Sequence, residues 1–460
     1  MDGKKTWPAA VLAAGLMIAG CGSVPPDAGL ADLRTRVEAS GQRLDWSPGQ
    51  PIEPPSDDRL RPLLEGELTA DRAVGIALAN NRGLLATLEE LGVARADLVE
   101  ASTVRNPVFD GELRFTGDPR KPFEIGITQT LVDLFQLHRR RALGQAAFEA
   151  DRLRVTGAVL GFAARVRADY YILQASQQAL AEQRTIHDAA EASAELARRQ
   201  HDAGAVSDLD LEAERALADR TRLDLARAGL DEVRDRERLL ADLGALHGLP
   251  LSLPAQEPPP SEDERTPEEI EAALPGRLDL ALARAEVEAA RRALPLSRAS
   301  AYDGLAAGVH REREPSEGER TESTTGPAVS VPIPLFDRGR AGRDRAAANL
   351  RTAEQRLYER TARAASEART ARERLLEARA RAETLRTDVV PRRQRILELA
   401  LLEYNAMLRG AFDLLRARQD LSDALREQVL ANRDYWLAHT ELEAALTGVT
   451  GFAQENDDHE

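Results

Sequence analysis

Between Pro122 and Pro250 the chain contains no proline, and this absence constrains the fold more than any other feature of the sequence. Proline removes a backbone donor and clashes inside a helix, so a long proline-free span leaves room for very long helices. The tract from about His138 to Gln200 is unbroken in helical composition and would extend on the order of 90 Å at about 1.5 Å per residue. No compact globule has room for such a rod. Leu153, Leu160, Ala164, Tyr171 and Gln178 recur along it at near-heptad spacing, which predicts rods lying side by side as coiled coils. Composition agrees, since aromatic residues make up 4% of the chain and charged residues 30%, in tracts dominated by Ala, Leu, Arg and Glu.

A second half repeats the first at an offset of roughly 196 to 204 residues. Asn81-Arg82-Gly83-Leu84, opening a helix through Glu90 and Ala94, parallels Arg277-Leu278-Asp279-Leu280, followed by Glu286 and Ala290. His201-Asp202-Ala203-Gly204 through Leu209-Asp210-Leu211 parallels Tyr404-Asn405-Ala406-Met407 through Phe412-Asp413-Leu414. Each half is expected to run helix, strand pair, very long helix, tight break, long helix. Phe109, Gly111, Leu113 and Phe115 share one strand face and Asp110, Glu112, Arg114 and Thr116 the other, while Phe123, Ile125 and Ile127 alternate with Glu124, Gly126 and Thr128. Leu305, Ala307, Val309 and then Val329, Val331, Ile333 give a weaker version in the second half. Such period-two segments of about ten residues suit a membrane barrel with lipid outside and water inside. Four strands cannot close one, because about eight is the smallest closed count and open edges are forbidden in lipid; three chains give about twelve. Two hairpins capping a soluble helical rod are the alternative.

At the N-terminus, Lys4 and Lys5 precede a short apolar run from Ala9 to Ala19 that ends Ile18-Ala19-Gly20-Cys21. The run is too short to span a bilayer and reads as a cleaved signal. Its ending resembles a bacterial lipobox, in which the cysteine is acylated once the preceding residues are removed; a buried thiol after an apolar run is the plainer reading. Gly22 rather than an aspartate follows, which favours outer-membrane sorting. Cys21 is the only cysteine, so neither a disulfide nor a free thiolate is expected in the mature protein. The net charge of −15 is spread along helices of mixed sign, which argues against a nucleic-acid partner.

Four segments, in this order and with their duplication, resemble the TolC-like outer-membrane efflux proteins. They are Leu68-Thr69-Ala70-Asp71-Arg72-Ala73, Val104-Arg105-Asn106-Pro107 before the first strand, Asp202 through Leu211 at the first helical break, and Val331-Pro332-Ile333-Pro334-Leu335-Phe336-Asp337-Arg338-Gly339-Arg340 after the last strand. The resemblance implies a mainly α fold with a small β part: two repeats of long-helix hairpins form a trimeric α-barrel, and four strands per chain join a membrane β-barrel of about 12 strands. It implies a homotrimer in outer-membrane lipid, anchored through Cys21. Its tunnel would cross the periplasm and dock onto a periplasmic adaptor and an inner-membrane pump, with RND transporters one candidate class. The expected divisions are a signal at 1–20, a lipidated extended tail at 21–67, repeats at 68–250 and 268–448 joined by a linker at 251–267, and a disordered acidic tail at 449–460. The same resemblance makes the two helical breaks the inner end of the tunnel. Asp413 matches the acid that narrows the pore there, with Asp208 and Asp210 in the first break. Arg409 lies where family members tie the closed tip by an ion pair, and Arg416 stands where a second acid is usual. A helix-terminal acid complementing the macrodipole is the other reading of Asp413, and the two are compatible. The segment from Tyr404 to Leu415 looks like the tips of members associated with heavy-metal export.

No HExxH, CxxC, GxxxxGK or Gly-x-Ser-x-Gly pattern occurs, so no catalysis, cofactor or resident metal is expected. His187 and His201 read as solvated helical residues, and Tyr170, Tyr171 and Trp436 as coiled-coil core or interface. Met407 is the only methionine after the signal, which leaves no soft-metal relay. Two other classes fit parts of the pattern. A lipid-anchored periplasmic adaptor would need one hairpin and more β sequence. A structural coiled coil without a pore would have no use for the alternating strands.

Overall fold

The computed structural model describes residues 24–25, 27, 29–51, 54, 56–115, 122–255, 260, 265–298, 300–315, 321–336 and 338–449. In chain order the elements are α1 (Leu30–Ala39), α2 (Asp57–Leu63), α3 (Ala70–Asn80), α4 (Arg82–Ala101), β1 (Val108–Leu113), β2 (Phe123–Thr130), α5 (Leu131–Asp202), α6 (Asp208–Leu243), α7 (Pro267–Ala273), α8 (Leu278–Ser297), β3 (Ala306–Pro315), β4 (Thr321–Ser330), α9 (Arg340–Thr384), α10 (Val390–Asn405) and α11 (Ala411–Thr447). The fold is mostly helical with one small antiparallel sheet. Two units form: Met1–Ala31, Glu89–Val155 and Leu280–Arg360 in the first, and Asp32–Leu88, Thr156–Asp279 and Thr361–Glu460 in the second.

The first unit holds the sheet, in the order β1-β2-β3-β4 with every neighbour antiparallel. Among the described residues, its outer strands β1 and β4 each have an unpaired edge. Gly308 is required by the pairing of β3 with β2, because a Cβ there would lie 2.2 Å from the carbonyl oxygen of Ile127. The second-half strands are longer than the apolar alternation predicts: β3 and β4 have 10 residues each, against 6 and 8 for β1 and β2. Ladder bonds to both neighbours carry β3 through His310-Arg311-Glu312-Arg313, where alternation of apolar residues has already ended. β4 stops at Ser330, leaving the expected strand residues Val331 and Ile333 outside it, since Pro332 and Pro334 have no amide to donate. At the foot of β1, Arg105 makes a two-pronged pair with Asp133 in the first turn of α5, at 2.6 and 2.7 Å. Arg140 adds a contact of 3.3 Å to the same buried carboxylate.

Helix α5 is 72 residues long and starts at Leu131, ahead of the expected His138, because it grows directly out of β2. Its fully buried stripe in the second unit is Val159, Phe162, Val166, Tyr170 and Leu173, next to the heptad set read from the sequence. Of that set Leu160, Ala164 and Gln178 are only half-buried. The long helix is covered over a wider arc than a two-stranded seam, so the apolar residues nearest the middle of the arc are the ones fully removed from water. Tyr171 stacks on Trp436 with ring centres 5.0 Å apart, and Tyr170 donates to the Leu68 carbonyl at 2.9 Å, so both belong to the core. Burial holds the neighbouring His439 below the usual histidine range.

The sequence repeat reappears as two matching corners. α6 and α11 end at Gly244 and Gly448, both left-handed, with φ of 82° and 76°. A Cβ on Gly244 would lie 2.8 Å from the Asn80 carbonyl oxygen, and one on Gly448 would lie 2.5 Å from Asp279 Oδ1. Each helix thus ends against the start of its own repeat's first long helix. Pro391 does not end the helical path: a π-turn at Leu385–Val389 absorbs the missing hydrogen bond and α10 follows at once.

The region expected as an extended tail is partly helical, with α1 and α2 and with Leu33, Val37, Leu60 and Leu64 buried. Leucines spaced three to four apart suffice to seat short helices even in proline-rich sequence. Asp57 fixes the segment by accepting from the Leu246 amide at 2.8 Å and meeting His247 at 2.6 Å; these two contacts lower its pKa. In the linker, Ser252 bridges Glu67 and its carbonyl accepts from the Leu68 amide at 2.8 Å. Val449 is buried against Gly161, while 450–460 lie outside the described residues.

Candidate functional site

Both helical breaks lie in the second unit, and their local chemistry differs. At the first, Gly204 turns the chain with φ of 73° and Ser207 caps α6. Asp210 closes a capping box, its amide donating to Ser207 Oγ at 3.2 Å and its carboxylate accepting from the Ser207 amide at 3.3 Å. Asp208 meets His201 Nε2 at 2.6 Å. The two acids of the first break therefore have local partners.

At the second break Met407 takes the position of Gly204 and is left-handed too, with φ of 58°, which for a side chain with a Cβ costs about 1 to 2 kcal/mol. Met407 is 93% exposed, so no packing contact explains its choice. Arg409 is engaged by Glu403 of the same hairpin. Asp413 stands in the first turn of α11, exposed, and makes no hydrogen bond or ion pair to another described side chain. Of the three acids read from the sequence, Asp413 alone has no side-chain partner among the described residues.

Sequence reasoning missed the polar bridges between the hairpins. Arg418 of α11 donates to Ser193 of α5 at 2.8 Å. Arg426 donates to Gln183 at 3.1 Å and lies 3.9 Å from Asp224. Gln183 in turn donates to the Thr221 carbonyl at 3.3 Å, and His187 meets the Thr221 hydroxyl at 3.1 Å, so His187 is a bridging residue rather than a solvated one. Around these bonds a cavity of about 320 Å³ remains, lined in part by Ile186, Ala190, Leu217, Leu397 and Leu421. No sequence period could have shown the bridges from Arg418 and Arg426, which join residues more than two hundred positions apart.

In the first unit, register sorts the sheet into two faces. Glu112, Glu124, Glu312 and Thr324 form one row of the polar face, and Asp110, Gly126, His310 and Gly326 the next. Phe109, Ile127, Val309 and Pro327 form a row of the opposite face, where Phe109 is 67% exposed and Ile127 55%. Such exposure of large apolar side chains marks an interaction surface. Among the described residues no helix is long and apolar enough to cross a membrane, and no group of three or more acidic, histidine or cysteine side chains is placed to hold a metal. Cys21 and the expected signal at 1–20 lie outside the described residues, as does Asp337.

A family model described as outer membrane efflux protein matches residues 73–245 and 270–448. The cobalt-zinc-cadmium resistance protein CzcC of Cupriavidus metallidurans is 25% identical over 365 residues, covering 78% of this chain and 85% of that protein. A membrane protein of Pseudomonas aeruginosa shares the fold with a TM-score of 0.69 at 20% identity, over 82% of this chain and 93% of that one. The Campylobacter jejuni CmeC outer membrane channel does so with a TM-score of 0.70 at 16% identity, over 90% and 93%.

Proposed function

Since the chain belongs to the outer membrane efflux protein family, whose members are channels and not enzymes, we propose that it is the outer-membrane component of a tripartite efflux system. Three copies conduct solutes passively, and an inner-membrane pump, reached through a periplasmic adaptor, supplies the energy. The observation that carries this reading is the four-stranded sheet with one acidic face, one exposed apolar face and two unpaired edges. Three such sheets joined edge to edge make about twelve strands, with the acidic face on the water-filled lumen and the apolar face on lipid. Residues 68–250 and 268–448 are its two repeats, and Cys21 carries the lipid anchor. Cys21→Ser is expected to abolish incorporation of labelled fatty acid; labelling that persists removes the anchor from the reading. The likeness to a cobalt-zinc-cadmium resistance protein and the acidic lumenal row together favour divalent metal ions as cargo.

Asp413 is the constriction residue of the pore, and its test is electrical. Three carboxylates around a symmetry axis in partly dehydrated surroundings attract cations more strongly than in bulk water. Asp413→Ala is expected to change single-channel conductance and cation preference in a planar bilayer, leaving trimer yield unchanged. If Asp413 only complements the macrodipole, its loss costs about 0.3 to 1 kcal/mol and leaves conductance alone. A wild-type protein that purifies as a detergent-independent monomer and forms no channel would overturn the whole reading.

A further inference from the structure

Charge on the sheet is segregated by face. On the polar face Asp110, Glu112, Glu124, Glu312 and Glu322 accompany His310 and Arg114, and Arg114 is engaged by Glu112 at 2.9 Å and Glu124 at 3.3 Å. The opposite face has no carboxylate among the described strand residues, yet it carries Arg311 and Arg313, both exposed. The Arg313 guanidinium lies 5.9 Å from the centre of the Phe123 ring, its partner across β2, which fixes it on the apolar face. Neither arginine pairs with an acid among the described residues. On the other side β4 sets Thr325 opposite Arg311 and Ser323 opposite Arg313, both exposed. Two guanidinium forks, two hydroxyls and an aromatic ledge thus lie together, an arrangement that matches the geometry of phosphate as well as of carboxylate.

Position decides which phosphate. β3 is hydrogen-bonded on both sides, so a neighbouring chain joining at the β1 or β4 edge leaves the cluster uncovered. Val309, Ile127 and Phe109 occupy the same face nearer the strand ends that lead into the helices, and the arginines follow toward the hairpin ends. Charged side chains on a lipid-facing barrel surface are tolerated near the headgroups and not at mid-bilayer. We propose that Arg311 and Arg313, with Ser323 and Thr325, bind the phosphate groups of phosphorylated glycolipid in the outer leaflet, at the barrel rim farthest from the helices. The proposal rests on the barrel reading above.

The test is lipid binding by the full-length trimer in non-ionic detergent, counted by native mass spectrometry during titration with bisphosphorylated lipid A. Arg311→Gln/Arg313→Gln is expected to weaken binding about tenfold. Arg114→Gln, on the polar face, should bind as the wild type does, and dephosphorylated lipid A should bind the wild type no better than it binds the double variant. Equal binding by wild type and double variant overturns the proposal. So does complete displacement of the lipid by millimolar inorganic phosphate, which would mark a site for free anions. Conductance in a neutral phosphatidylcholine bilayer separates the two readings. A double variant that conducts normally while losing lipid A leaves the channel intact, whereas a wild type that never conducts sinks the channel whatever it binds.

Discussion

Arg277→Ala is expected to destabilise the folded protein by about 3 to 5 kcal/mol, read as a fall in the thermal midpoint by far-ultraviolet circular dichroism in detergent. Arg277 is 1% exposed and uses its whole guanidinium. Nε and Nη2 reach the two carboxylate oxygens of Asp279 at 3.0 and 2.9 Å, Nη1 donates to the Ala364 carbonyl at 3.1 Å, and Nη2 also meets Glu367 at 2.8 Å. Truncation takes the buried counter-ion from Asp279 and the donor from Ala364, and a buried charge left without its partner is among the costliest of point changes. The corner has no slack to absorb the change, since Gly448 closes on the same two residues. An Arg277→Met, Asp279→Leu double variant should recover most of the loss, because both charges then leave together. A single variant that melts at the wild-type midpoint would show that the cluster contributes nothing.

The second large effect depends on pH. Asp169 on α5 is buried, and its pKa is pushed up to about 7, first by burial and then by the neighbouring Asp242 carboxyl of α6; Arg238, at 3.7 Å, and Arg165 pull it back. Asp242 Oδ2 is itself buried and has no hydrogen-bond partner among the described residues. A carboxyl whose folded-state pKa is raised contributes stability that is complete below the unfolded value and is lost as pH rises through the folded one. The wild type should therefore lose on the order of a few kcal/mol between about pH 4 and pH 7 at this site. Asp169→Asn keeps a donor toward Asp242 at every pH and should flatten that slope, ending more stable than the wild type at about pH 8. Parallel midpoint curves for the two proteins across this range would show that Asp169 titrates normally.

How much of this was legible in advance varied with the range of the interaction. The proline-free span gave the long helices, and period-two alternation found β1 and β2, because both signals are local. The same logic undershot β3, whose outer half is polar on one face and basic on the other, and overshot β4 into a Pro-x-Pro run. It read the N-terminal segment as extended because that stretch is rich in proline, although a few leucines decide the matter once a surface exists to bury them. At the helical breaks the sequence put Asp413 first among three candidate acids, with Asp208 and Asp210 after it. A capping box took Asp210 and His201 took Asp208, and only side-chain geometry could separate them from Asp413.

By itself, the sequence determined the helical periodicity, the two-fold internal repeat, the strand faces and the family, since each is written in spacings that survive whatever the chain packs against. The tertiary structure alone decided the Arg277 corner, the buried pairing of Asp169 with Asp242, the bridges from Arg418 and Arg426, and the arginine pair set beside Ser323 and Thr325. Most of these join residues remote in the chain, and even Arg277 and Asp279, two positions apart, become an energetic unit only when Ala364, Glu367 and Gly448 close around them. Whether a charged or polar side chain is stabilised depends on the partners and the dielectric that folding brings to it, and neither is encoded in local spacing.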